Sequence, residues 1–163
     1  MVDSGICYGR SDLALADDPV ACAQRLRDQL PDHVPLFTSP LRRCLALAQA
    51  LRARPLVDAR LIEMDFGAWE MQPWNGIGRD QIEAWRADPL DYAPPGGEPV
   101  AALRQRVRAF LDACRHEGAD EIAAVSHAGV MKVVAAECLG LPTERWLSMT
   151  FDYCSVFVAD LPA

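Results

Sequence analysis

Strands alternating with helices along the sequence predict an α/β sandwich with a mostly parallel sheet, built as one domain over residues 1–163. Three observations carry this expectation. Short apolar runs recur, each followed by a helix-start signal or a turn. The helical stretches show single apolar stripes. The chain has 163 residues, 51% hydrophobic and 24% charged, which is enough for one real core and ordinary for a globular domain.

In chain order, Asp18-Pro19 reads as an N-cap followed by proline at the first helical position, so a helix is expected over about 19–30. Val34 to Thr38 is an apolar run suited to a buried strand, and Ser39-Pro40 repeats the cap-plus-proline signal. Leu41, Cys44, Leu45, Ala48 and Leu51 then give the next helix one apolar face. Leu56 to Leu61 suits another strand. Glu63 to Pro95 is irregular, aromatic and rich in Gly and Pro, with a short helix expected near 79–87. So long an excursion in a small domain usually carries function. Pro94-Pro95-Gly96-Gly97 makes a turn, and a long helix follows with Val100, Leu103, Val107, Phe110, Leu111 and Cys114 on one face. Glu121 to Ser126 is a buried strand, Val130 to Leu139 a helix closed by Gly140, and Tyr153 to Ala159 a final strand.

The formal charge of −7 comes with no basic patch, so the field repels nucleic acid and acidic membranes, and neither is expected as a partner. An anionic substrate would need a local arginine cluster. Cys7, Cys22, Cys44, Cys114, Cys138 and Cys154 form no C-x-x-C pair and no zinc spacing, so reduced thiols in a cytoplasmic protein are expected, and no metal. The opening MVDSGICYGR has neither a basic region nor an apolar run and is not read as a signal peptide. Ser126, His127, Lys132 and Glu137 interrupt the apolar stretch 122–141, which reads as strand plus helix and not as a membrane span.

Four segments can carry chemistry. In Ser39-Pro40-Leu41-Arg42-Arg43-Cys44, two arginines enter a helix straight after a strand, where a helix N-terminus favours an anion and Arg offers a bidentate fork. The plainer alternative is a capped helix with two solvated arginines. In Val125-Ser126-His127-Ala128-Gly129, a histidine follows an apolar strand, at the edge where open α/β sheets bind ligands. The small residues after it would let a ligand approach the backbone, whereas the alternative is a hydrogen-bonded structural histidine. Glu63-Met64-Asp65-Phe66-Gly67-Ala68-Trp69-Glu70 holds three carboxylates among aromatics. A carboxyl desolvated by Phe and Trp can serve as a general acid. The alternative is a surface loop with an aromatic anchor. Tyr8-Gly9-Arg10-Ser11-Asp12 adds a turn with one more arginine.

Together and in this order, the segments resemble the histidine phosphatase superfamily, also called phosphoglycerate mutase-like, over nearly the whole chain. SPLRRC resembles the family's S-x-L-x-R-[AC] segment, which implies that Arg43 binds phosphate. LIEMDFGAWE resembles the segment bearing the catalytic acid, implying Glu63, and VSHAG the second histidine motif, implying His127 as a catalytic and phosphate-binding group. GRSDLAL resembles G-x-x-D-x-x-L, which sets Tyr8, Gly9 and Arg10 at the substrate pocket, and PPGGE is a frequent family feature. CYGRSD, EMDFGAWEM and PPGGE together look most like alpha-ribazole phosphatase, which removes the 5′-phosphate of alpha-ribazole phosphate in cobalamin biosynthesis.

The resemblance implies a three-layer α/β/α sandwich and a small phosphate ester as partner. It implies a phosphohistidine mechanism without cofactor or metal, and a homodimer is compatible with it. It also implies a first strand ending in R-H-G with the nucleophilic histidine. This sequence starts beyond that motif, so the fold is expected without that strand and the chain, as given, inactive. Its only histidines are His33, His116 and His127. His33 falls in a Pro-Asp-His-Val-Pro loop and His116 at a polar helix end, neither suited to nucleophile. Three functions follow as alternatives: a phosphomonoesterase whose sequence here is incomplete, a non-catalytic phosphate-ligand binder, or an acid–base enzyme using Glu63 and Asp65 without phosphate. A broad-specificity phosphatase or mutase relative fits the same motifs.

Overall fold

A computed structural model describes residues 5–160. The stretch 1–4, which opens the segment read above for a signal peptide and for the missing strand, lies outside the described residues, as does 161–163. Three short parallel strands form the sheet: β1 (Leu36–Thr38), β2 (Leu56–Val57) and β3 (Ala123–Val125), in the order β2-β1-β3. Phe37 pairs with Leu56 on one side and with Ala124 on the other.

Alternation along β1 sorts the helices into layers. Leu36 packs with Ala48 of α2 (Arg42–Leu51), over which α1 (Pro19–Leu26) is laid. Phe37 points the other way and meets Phe110 of α4 (Val100–His116) edge-on at 5.2 Å. That second face carries the main core, Leu103, Val107, Phe110 and Leu111 of α4 against Val130, Val133 and Ala136 of α5 (Ala128–Leu139). Helices on both faces of a parallel sheet are the three-layer α/β/α arrangement. The excursion 63–95 contains α3 (Arg79–Ala87) and is pinned by Trp69, Trp74, Trp85, Tyr92 and Phe66, packed on Cys7 and Ile77. The short α6 (Thr143–Leu147), which seats buried Trp146, has no counterpart in the sequence reading. Among the described residues no helix is long and apolar enough to cross a membrane.

Several expected elements are corrected. The final strand at 153–159 does not form. Residues 152–155 turn back on themselves, Phe151 packs on Phe157 at 5.8 Å, and Tyr153 and Val158 are 83% and 84% exposed. A β-strand exists only with a ladder partner, and among the described residues nothing pairs with this segment. The strand expected at 56–61 stops at Val57, because Asp58 caps a turn of 3₁₀ helix over Ala59–Leu61 through its bond from the Arg60 N–H. The first α-helix ends at Leu26 and tightens into 3₁₀ over Arg27–Gln29. The fifth helix begins two residues before Val130, with His127 at its N-cap.

Candidate active site

The carboxyl ends of β1 and β3 lie side by side, and the chain leaving each supplies one half of the site. After β1, Ser39 is fully buried and α2 opens with Arg42 and Arg43. After β3, His127 precedes α5 and is 7% exposed. Arg43 Nε donates to His127 Nδ1 at 3.2 Å. That fixes Nδ1 as an acceptor, so the ring is neutral with its proton on Nε2, which donates to Ser39 Oγ at 2.8 Å. Burial, then the charges of Arg43 and Arg106, push the histidine down to about 3. His127 is therefore a neutral donor at neutral pH. Cys44 Sγ packs 3.5 Å from the same ring, its thiol pushed up to about 12 by burial and therefore inert.

Arg43 also donates to Ser11 O at 2.8 Å and Gly9 O at 2.6 Å, and its guanidinium lies 5.6 Å from the centre of the Tyr8 ring. Burial chiefly raises the Tyr8 phenol to about 12, helped by its bond to Tyr153 at 2.9 Å. Residues 8–11 thus line one side of Arg43. Gly9 is required there, since a Cβ would fall 1.9 Å from Met64 O. Arg10, expected near a substrate anion, is instead paired with Asp65 at 3.3 Å and Glu98 at 3.1 Å. The anion expected at the N-terminus of α2 is supplied internally: Asp12 accepts from Arg42 N at 2.7 Å. Ser39, expected as that helix's cap, accepts from Leu41 N–H at 3.3 Å as well as from His127, but the helix starts at Arg42 with Leu41 at its N-cap and no side-chain bond from that residue.

Glu63 reaches the first turn of α5 and accepts from Gly129 N–H at 3.0 Å and from Met64 N–H at 2.8 Å. Glu63 is half-buried. Burial raises its pKa more than the two N–H bonds and the charges of Arg43 and Arg106 lower it. A proton is thus held more readily than on a free glutamate, on a carboxyl seated against the first turn of α5. Gly129 leaves room for this carboxylate, since a Cβ would stand 2.2 Å from Glu63 Oε1. The sequence reading gave that space to a ligand.

The supporting roles of four residues went unread in the sequence. Arg106 of α4 donates to the carbonyls of Arg60, Ile62 and Glu63 and to Glu98, which secures the loop carrying Glu63. Glu70 accepts from Gly9, Arg10, Ser11 and Phe66 N–H groups and from Ser11 Oγ. Ser39 and Cys44 belong to a motif that was noticed, yet their contact with His127 leaves no local trace. Arg106 had no signal beyond its place on a polar helix face. His33 is exposed and pairs with Glu121 at 3.4 Å, while His116 Nδ1 meets Asp112 O at 2.6 Å. Neither is at the site. A hollow of about 390 Å³ lies along α4, lined by Arg104, Arg108 and Asp112 among others. It includes none of the groups above, so chemistry and not concavity locates the site.

Comparison with known proteins identifies the family and the fold. The family model described as histidine phosphatase superfamily, branch 1, matches residues 2–162. The crystal structure of a phosphoglycerate mutase from Thermus thermophilus is similar at 32% identity and a TM-score of 0.67, over 82% of this chain and 75% of that one. A mycobacterial glucosyl-3-phosphoglycerate phosphatase is similar at 28% identity and a TM-score of 0.73, over 87% and 75%. The adenosylcobalamin/alpha-ribazole phosphatase of Escherichia coli (strain K12) is 34% identical over 96 residues, 56% of this chain and 47% of its own.

Proposed function

The chain belongs to the histidine phosphatase superfamily, and from that premise we propose that the Arg43–His127–Glu63 cluster is a phosphate-monoester site. The observation that carries this reading is the juxtaposition of a neutral histidine, an arginine fork and a carboxyl of raised pKa at the carboxyl edge of a parallel sheet. Arg43 and the His127 Nε2–H suit the equatorial oxygens of a phosphoryl group, where charge concentrates in transfer. Glu63 suits protonation of a leaving alkoxide. The expected ester is alpha-ribazole 5′-phosphate. The motifs CYGRSD, EMDFGAWEM and PPGGE and the similarity to the alpha-ribazole phosphatase support it, while the mutase and glucosyl-3-phosphoglycerate phosphatase relatives favour broader ester use.

Covalent transfer in the manner of the family needs a histidine nucleophile beside His127, and His33 and His116 stand elsewhere. Residues 1–163 alone are therefore expected to bind phosphate esters with negligible turnover, since losing a nucleophile costs several orders of magnitude in rate. The direct test is ³¹P NMR titration with inorganic phosphate and with alpha-ribazole phosphate, phosphoserine and 3-phosphoglycerate in competition. Arg43→Ala should weaken binding at least about tenfold, the scale of a charge-assisted hydrogen bond. Absence of phosphate binding overturns the site. Robust turnover that disappears in His127→Ala would make His127 the nucleophile.

A further inference from the structure

Two cysteines 132 positions apart in sequence meet in space, one on α1 and one on the C-terminal turn. Cys22 Sγ of α1 and Cys154 Sγ of the turn at 152–155 lie 2.6 Å apart. Cys22 is fully buried in a cluster with Ala23, Leu26 and Leu47, while Cys154 retains partial access to solvent. The Arg25 guanidinium touches Cys22 Sγ at 3.3 Å, and an Asp17 carboxylate oxygen lies within 4.8 Å of both sulfurs. Cys154 has a φ of 54°, a left-handed conformation that side chains other than Gly and Asn rarely adopt, held here by the turn that aims its thiol at Cys22.

We propose that Cys22 and Cys154 form a reversible dithiol–disulfide pair that fastens the C-terminal segment 148–160 to α1. A movement of about half an ångström brings the sulfurs to the about 2.05 Å of a bond. A metal site is the alternative for Asp17, Cys22 and Cys154. Zinc, however, holds its sulfurs at about 2.3 Å each, roughly 3.8 Å apart on a tetrahedral edge, wider than this pair. The oxidant is a low-molecular-weight disulfide of the glutathione class. The accessible Cys154 thiolate attacks it and expels one glutathione thiolate. Cys22 then attacks the mixed disulfide, with Arg25 beside its sulfur, and expels the second. The protein loses two protons and two electrons, and the small disulfide becomes two thiols.

The lock fixes more than a loose end. Tyr153, next to Cys154, bonds to the Tyr8 hydroxyl at 2.9 Å, and Tyr8 stacks against Arg43. Oxidation therefore holds Tyr153 at the edge of the phosphate site. That last link rests on the phosphate-site reading, whereas the disulfide itself does not.

The protein is equilibrated with oxidised glutathione, free thiols are alkylated, and non-reducing peptide maps are recorded beside melting curves. A linked Cys22–Cys154 peptide is expected, with Tm raised by roughly 5–15 °C and restored by dithiothreitol. Cys154→Ser should abolish both effects and Cys138→Ser neither. Links to other cysteines, a glutathione adduct left on Cys154, or zinc ions alone shielding both thiols from alkylation would overturn the proposal. Phosphate affinity should differ between the two redox states in the wild type and not in Tyr153→Phe. A cross-link in a protein that never binds phosphate would keep the disulfide and remove the site reading.

Discussion

Glu63 and Glu70 stand seven residues apart on one irregular segment and are held for opposite purposes. Both feel burial, which favours the neutral acid. Glu70 meets five donors, four backbone N–H groups and the Ser11 hydroxyl, and these outweigh burial and hold it below the ordinary carboxylate range. Glu63 meets two, and burial wins. The same side chain is thus a permanent anion that builds the 8–11 turn in one place and a group ready to carry a proton in the other. The balance between a carboxylate's depth and the donors aimed at it decides which.

The sharpest way to break this comparison is Glu70→Ala. It strands donors that fold residues 9–11 under Arg43, and should cost about 3 kcal/mol, a fall of roughly 6–12 °C in Tm. It should also weaken phosphate binding through the displaced turn, as titration would show. Unchanged Tm would remove Glu70 from its structural role.

Gly129→Ala comes next. Alanine normally stabilises a helix relative to glycine by about 1 kcal/mol. Here its Cβ meets the Glu63 carboxylate, so a loss of about 2 kcal/mol is expected. In a Glu63→Ala background the sign should revert, and a double-mutant cycle in urea measures the coupling. Additive effects would show that the close approach does not matter.

The acid limb of stability separates the carboxylates further. His127 has a lowered folded pKa, so its contribution is full above about pH 6.5 and is lost as pH falls toward 3, at up to about 1.4 kcal/mol per pH unit. Glu70, also lowered, adds to the loss only below its unfolded value of 4.5. Glu63, raised, acts in the opposite sense, gaining stability as pH falls through its folded pKa. Denaturation between pH 7 and 4 should therefore steepen in Glu63→Gln, whose offset is gone, and flatten in His127→Gln. Parallel curves for all three proteins would contradict these assignments.

The smallest effect is expected from Glu63→Gln at pH 7, within about 1 kcal/mol, because an amide of the same size replaces a carboxyl that burial disfavours as an anion. Phosphate binding should persist in this variant. A large Tm drop would make Glu63 structural, like Glu70.

Much of the fold was legible where signals are local. Asp18-Pro19 starts α1 at Pro19, Gly140 closes α5 with a φ of 61°, and the stripe from Val100 to Cys114 is the buried face of α4. The site residues were legible as motifs because Arg43 and His127 each follow a strand directly. Their neighbours were not. Arg10 looked like an anion ligand and is spent on Asp65 and Glu98. The 153–159 run looked like a strand and lacks, among the described residues, the partner that would make it one.

The sequence by itself determined the alternation of strand and helix from α1 to α5, the start of α1 and the close of α5, and the choice of Arg43, Glu63 and His127 as the groups to watch. Period, capping and turn chemistry act within a few residues and leave their mark there. Only the tertiary structure decided that Asp12 caps α2, that Gly129 exists for Glu63, that Glu70 gathers five donors, and that Cys22 meets Cys154. Each of these depends on two segments far apart in the chain arriving within hydrogen-bond or van der Waals distance, and the free energy of that meeting is carried by the packed core, not by either segment alone.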